Sequence, residues 1–302
     1  AKAACGVAVR AVVDGGGNLA QGEPKDARAD EVNAAVCWLA RQPGVTLIRG
    51  RNPIYHLDHR KLVVADGRIA WLGGRNFVDT AFDRDHDLSY TVAGPLAGTM
   101  DRTFESFWER QGGTPAPPPA PAPPPDELNA LARVVRTRPT ERTLAYNLYA
   151  AVEKARHHVY VENPYFGDNR LIADLARARR RGADVRVVLT LNSDSSFYDH
   201  ANRVTANRLL REGIRVYLYP GVTHVKATAV DGVWLYTGTG NFDNLSLRHN
   251  RELGVAISAG PAIDELEERL FRADFQDEWE LTEPLPVTPL DRLYELLATA
   301  VG

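Results

Sequence analysis

A nineteen-residue pattern occurs twice in this chain, and the repetition limits the available folds more than any other feature. HRKLVVADGRIAWLGGRNF begins at His59 and HVKATAVDGVWLYTGTGNF at His224. Adding 165 to a position in the first copy gives its partner in the second: His59 and His224, Lys61 and Lys226, Asp66 and Asp231, Gly67 and Gly232, Gly73 and Gly238, Asn76 and Asn241, Phe77 and Phe242. The same offset takes Asp87 to Glu252 and Leu88 to Leu253. A repeat of this span means one structural unit used twice. The lysines add weight, because only five Lys stand against 31 Arg, yet one falls at each equivalent position. A compact ammonium and a planar guanidinium are different tools, which gives a reason for Lys at these two points.

Alternation along an extended chain puts His59 with Lys61, and His224 with Lys226, on the same side. The Asp-Gly pairs at 66–67 and 231–232 are hairpin signals, so a return strand brings Asn76 or Asn241 back toward its own His and Lys. Around these motifs, Val- and Ile-rich runs alternate with helical patterns, the mark of a sheet covered by helices. Helices are expected over about 30–41, 143–155, 169–181 and 199–212, and strands at Val7–Val13, Val45–Ile48, His158–Val161, Val185–Leu189 and Ile214–Leu218. Eight of the nineteen prolines fall within 115–125, which reads as a semi-rigid linker.

Two complete copies of His-x-Lys-x4-Asp, each with a Gly-rich turn and an Asn seventeen residues after the His, closely resemble the phospholipase D superfamily. The resemblance implies an α/β fold of two pseudo-symmetric sandwich halves with one active site between them. It implies residues 1–111 as the first half, 112–126 as the Pro-rich linker and 127–302 as the second half. The first half is expected to be incomplete: Gly6–Arg10 matches Gly182–Arg186, but about 40 residues of helix and strand precede that point in the second half and five in the first. A sheet edge and an apolar face would then lie uncovered, unless something else covers the edge.

The resemblance also implies cofactor-free phosphodiester chemistry through a phosphohistidine. His59 would attack and His224 would protonate the leaving alcohol, then deprotonate the incoming one; the reverse order stays open. Lys61, Lys226, Asn76 and Asn241 would hold the non-bridging phosphate oxygens. Asp87 and Glu252 would each bond the far nitrogen of a histidine. Asp66 and Asp231 are read as structural, and Tyr165 and Thr239 as substrate-binding, with core packing an equal reading for Tyr165.

Gly73–Asn76 and the segment Asn241–Glu252 look most like the cardiolipin synthase and phosphatidyltransferase branch. The expected partners are therefore a phospholipid and a water or alcohol acceptor, with peripheral membrane contact. A nuclease or other non-lipid phosphodiesterase is the alternative, and a non-catalytic scaffold stands behind both. A net charge of −3 gives no bulk attraction to nucleic acid. No metal is expected, since His157, His158 and His249 lack companions at ligand spacing, and His56 is read as a loop residue. The clustered Arg177, Arg179, Arg180 and Arg181 suit a helix C-terminus. Cys5 and Cys37 cannot frame disulfides and are read as buried hydrophobes. No apolar run reaches the roughly 18–20 residues of a membrane span, and Ala1–Cys5 lacks a signal-peptide core; oligomeric state and compartment are not encoded legibly.

Overall fold

The computed structural model describes residues 2–15, 27–52, 56–117 and 131–300; the proline tract from 118 to 125 lies outside them. In chain order the first part gives β1 (Val9–Asp14), α1 (Ala27–Ala40), β2 (Val45–Gly50), β3 (Leu62–Ala65), β4 (Ile69–Gly73), α2 (Asp79–Asp83), β5 (Ser89–Ala93) and α3 (Pro95–Arg110). Next come β6 (Ala132–Arg138), β7 (Glu141–Arg142), α4 (Thr143–Lys154), β8 (His158–Glu162), α5 (Asn169–Arg180), β9 (Asp184–Thr190), α6 (Ser196–Arg211) and β10 (Arg215–Tyr219). The chain closes with β11 (Ala227–Val230), β12 (Trp234–Gly238), β13 (Glu252–Ile257), a helical stretch opening with α7 (Pro261–Leu266), and α8 (Pro289–Ala300).

The offset of 165 survives in three dimensions. Strands β3 and β4 begin at Leu62 and Ile69, and β11 and β12 begin at Ala227 and Trp234. Between the strands of each hairpin, Asp66 and Asp231 take φ of 53° and 54°, and the glycines that follow them 64° and 67°. Two consecutive left-handed residues make the turn whose twist matches that of the strands, and Asp followed by Gly supplies it at low cost. The Asp231 carboxylate also accepts the backbone N–H groups of Arg156, His157 and His158, each at 2.8 Å, tying this turn to the start of β8.

Eight strands form the main sheet in the order β10-β9-β8-β11-β12-β13-β6-β7. Strands β8, β9 and β10 run parallel through α5 and α6, which is why their Val-rich runs are buried on both faces. The remaining pairs are antiparallel. The first part repeats this plan in pieces: β1 pairs parallel with β2, and β3-β4-β5 form a separate antiparallel sheet.

In the main sheet β8 lies between β9 and β11; among the described residues no strand lies between their counterparts β1 and β3. The expected uncovered surface follows. Phe77 is 59 % exposed, whereas its repeat partner Phe242 is fully buried. Trp38, Phe82, Val63 and Ile69 are exposed as well. The same openness corrects the reading of the cysteines. Cys5 and Cys37 are both exposed, because Cys5 ends a short 3-10 turn and Cys37 sits on the outer side of α1.

The two halves are fused by packing rather than by a shared sheet. Ala70, Leu72, Ala97 and Met100 of the first share a core with Leu253 and Val255 of β13. Leu88 packs in turn against Val225 and the helical stretch after α7.

Candidate active site

Each His-x-Lys segment is an extended lead-in, with its strand starting one residue after the lysine. Each is fastened by its backbone to the opposite half. His59 N–H donates to Arg251 O at 3.1 Å and Arg251 N–H to Leu57 O at 2.8 Å. At the equivalent place His224 N–H donates to His86 O at 2.7 Å and His86 N–H to Val222 O at 2.9 Å. Adding 165 converts one set into the other. The residue after each bridging one is the acid, so Glu252 reaches His59 and Asp87 reaches His224. His59 Nδ1 lies 2.9 Å from Glu252 Oε1, and His224 Nδ1 lies 2.9 Å from Asp87 Oδ2. With Nδ1 engaged, each ring has Nε2 left for chemistry.

Lys61 and Lys226 are buried, and each ammonium donates to the carbonyl oxygen of its own histidine, at 2.8 and 2.5 Å. Burial lowers Lys61 to about 8 against the pull of Glu252 and Asp87. It lowers Lys226 to about 7, opposed by Asp87 and reinforced by the charge of Lys61. The two ammonium groups therefore feel each other and share the same acids, as they would around one anion. Asn241 is 5 % exposed and its Oδ1 has no hydrogen-bond partner among the described residues. Asn76, by contrast, is half-buried on the more open half.

The two histidines differ in setting. The His59 side chain is 22 % exposed and that of His224 5 %. Burial, with the Lys226 charge, lowers His224 to about 4 although Asp87 pulls the other way. Glu252 is held below the carboxylate range: burial would raise it, but His59, Lys61 and Thr239 outweigh burial.

Thr239 departs from its expected role. Its hydroxyl is fully buried, donates to Glu252 Oε2 at 2.5 Å and accepts from Leu253 N–H at 3.0 Å. It holds the acid in place and has no surface to offer a substrate. Tyr165 stands in the wall of the site, its ring stacked on Tyr198 at 4.1 Å and edge-on to His224 at 6.3 Å. Its hydroxyl donates to Asp194, whose carboxylate feels His224 and Lys226. Asp194 and the Tyr198–Asp243 hydrogen bond of 2.7 Å were not legible in the sequence, since no motif or spacing marks them. His56 Nδ1 faces His249 O at 2.9 Å, and His158 Nε2 faces Glu267 at 2.8 Å.

One group of side chains has the composition of a metal site. His86, Glu162 and Asp274 place their ligand atoms within 4.8 Å of one another. His86 Nε2 lies 2.8 Å from Asp274 and 3.5 Å from Glu162, and Glu162 Oε2 is buried with no hydrogen-bond partner among the described residues. Burial, and then the adjacent Asp274, push Glu162 well above the carboxylate range.

The chain is similar to known proteins in sequence and in fold. The family profile described as "Cardiolipin synthase, PLD-like domain" matches residues 148–274. Cardiolipin synthase A of Pseudomonas entomophila is 30% identical over 238 residues, covering 74% of this chain and 49% of that protein. The probable cardiolipin synthase YwiE of Bacillus subtilis is 29% identical over 302 residues, covering 93% of this chain and 58% of that protein. The chain thus spans about half the length of the curated relatives it matches. The crystal structure of phosphatidylserine synthase from Haemophilus influenzae superposes with a TM-score of 0.63 at 14% identity, over 96% of this chain and 88% of that one.

Two crossed histidine–carboxylate pairs on a repeated α/β scaffold, with these similarities, define the class: the chain belongs to the phospholipase D superfamily. Within the superfamily its likeness is to the cardiolipin synthases.

Proposed function

We propose that the chain transfers a phosphatidyl group from a phospholipid to an alcohol, or to water, through a phosphohistidine. The observation that carries this reading is the pair of crossed dyads, each holding an imidazole by Nδ1 with Nε2 free beside a buried lysine. Residues 1–111 and 127–302 would act as the two halves, joined by 112–126.

The chemistry follows from the charges. The substrate phosphate lies between Lys61 and Lys226, with Asn76 and Asn241 on its non-bridging oxygens. His59, the more exposed ring, attacks: an Nε2–P bond forms as the P–O bond to the first alcohol breaks. That oxygen takes the proton from His224 Nε2. The second alcohol or water then loses its proton to His224 as its oxygen bonds phosphorus and the N–P bond breaks, so protons and electron pairs balance. His224 is kept neutral in the free chain by burial first and by the Lys226 charge second, and a bound anion offsets that second effect. The acid is therefore charged together with substrate binding.

A lipid substrate requires access from a bilayer surface. No helix among the described residues is long and apolar enough to cross a membrane. Leu290, Leu293, Leu296 and Leu297 of α8 stand exposed, and Tyr294 of the same helix packs on Phe197 at 5.1 Å, next to the wall residue Tyr198. Peripheral contact through this leucine face would bring a lipid headgroup alongside the site.

The test is turnover of phosphatidylglycerol vesicles in the presence of EDTA, with and without added glycerol, for the intact chain, His59→Ala and His224→Ala. EDTA-resistant release abolished by both substitutions is expected, with product analysis separating transfer from hydrolysis. Activity on a simple chromogenic diester alone would reject the lipid reading.

A further inference from the structure

A second concentration of positive charge lies outside the catalytic group. A cavity of about 370 Å³ opens between α3, β6 and the segments at Arg60 and Arg251, and none of His59, Lys61, His224 or Lys226 lines it. Its wall carries six arginines and a single carboxylate, that of Glu252, which is already committed to His59. Two neighbouring acids compensate part of this charge. Asp58 binds Arg60 at 2.7 and 2.6 Å, and Glu141 holds Arg136 and Arg138 at 2.8 Å each.

The remainder is poorly matched. The Nε atoms of Arg138 and Arg251 and the hydroxyl of Thr137 are buried with no hydrogen-bond partner among the described residues. Arg60, Arg251 and Arg110 converge on one ring, their guanidinium carbons 4.7, 5.1 and 5.8 Å from the Phe107 centroid. Burial, and then mutual repulsion, lowers both Arg110 and Arg251. Clustered guanidinium groups with idle buried donors are costly unless an anion completes them.

Adding 165 to His86 gives Arg251, so at this one position the flanks of the two dyads differ: an imidazole beside Asp274 in one, a guanidinium in the cavity wall in the other.

We infer that this cavity is a second anion site, built for an organic phosphate ester and separate from the catalytic lysines. Guanidinium forks match tetrahedral phosphate oxygens in pairs. The volume falls at the low end of the roughly 300–1,000 Å³ typical of small-molecule sites, enough for a phosphate with a glycerol-sized group attached. Two sources offer that chemistry, a soluble phosphate ester and the headgroup of an anionic lipid.

Binding here needs no turnover, so it is measured independently of the transfer reaction. Calorimetric titration of the Lys61→Ala/Lys226→Ala chain with glycerol 3-phosphate, and its sedimentation with phosphatidylglycerol vesicles, read the site with the catalytic ammonium groups removed. Adding Arg110→Ala and Arg138→Ala is expected to weaken one of these at least tenfold. Loss for glycerol 3-phosphate assigns a soluble ester, and loss for the vesicles alone a lipid headgroup. Unchanged affinity for both probes would overturn the site. If the alanine pair fails to fold, Arg110→Lys/Arg138→Lys keeps the charges and removes the forks; a loss of at least threefold is expected, and equal affinity again overturns it.

Discussion

Glu252 Oε1 lies 2.9 Å from the Nδ1 of His59, a residue 193 positions earlier in the opposite half. The reciprocal pair, His224 and Asp87, has the same length across 137 positions. Neither half orients its own imidazole, so each dyad is completed only where the two halves pack together.

Removing the charge but not the shape of these acids tests that dependence. Glu252→Gln and Asp87→Asn should each lower kcat by up to about 10⁴-fold, the loss seen when the orienting acid of a catalytic histidine becomes an amide. KM should change little, because the lysines and asparagines proposed to hold phosphate remain. Thr239→Val, which removes a hydrogen bond to Glu252 without touching substrate, should cost about tenfold or less. Steady-state kinetics on vesicles measures all three.

Protonation of His224 should depend on ligand. Its value of about 4 in the free chain lies below the ordinary 6.5, and an anion between the lysines should raise it. A proton NMR titration with and without orthovanadate reads this directly, and an unmoved resonance would remove the acid role from His224. The stability consequence has a fixed sign. Between 6.5 and about 4 the unfolded chain binds the extra proton, so stability from this group is full above 6.5 and is lost as pH falls toward 4. The loss should be of order 1–3 kcal/mol.

Lys226 sets function against stability. Its ammonium is buried beside another ammonium and donates to one carbonyl. Lys226→Met should abolish turnover and stabilise the fold by about 1–3 kcal/mol at pH 6, where the native lysine carries its charge. Thermal melting should show a rise of several degrees in Tm.

Asp231 should behave oppositely. It serves three backbone N–H groups and sits at positive φ in the turn tied to the start of β8. Asp231→Ala should cost about 1–2 kcal/mol in stability and leave kcat within a factor of two. Denaturant unfolding together with kinetics checks both.

What the sequence determined is local. Alternation placed His59 with Lys61 and His224 with Lys226, and Asp-Gly dictated the two hairpins, because side-chain period and turn dihedrals depend on a few adjacent residues. The strands at 158, 184 and 215 were legible within a residue or two for the same reason. The gap between β1 and β3 was legible by comparing one copy with the other.

What only the tertiary structure decided depends on contacts between distant segments. The crossing of the two acids, the turning of Thr239 toward Glu252 rather than toward substrate, and the exposure of Cys5 and Cys37 are set by which half packs on which. The arginine cavity is assembled from α3, β6 and the two segments at Arg60 and Arg251, which no motif spacing in the sequence brings together. Local rules fix what each segment becomes, and burial across the seam between the halves fixes which charges meet.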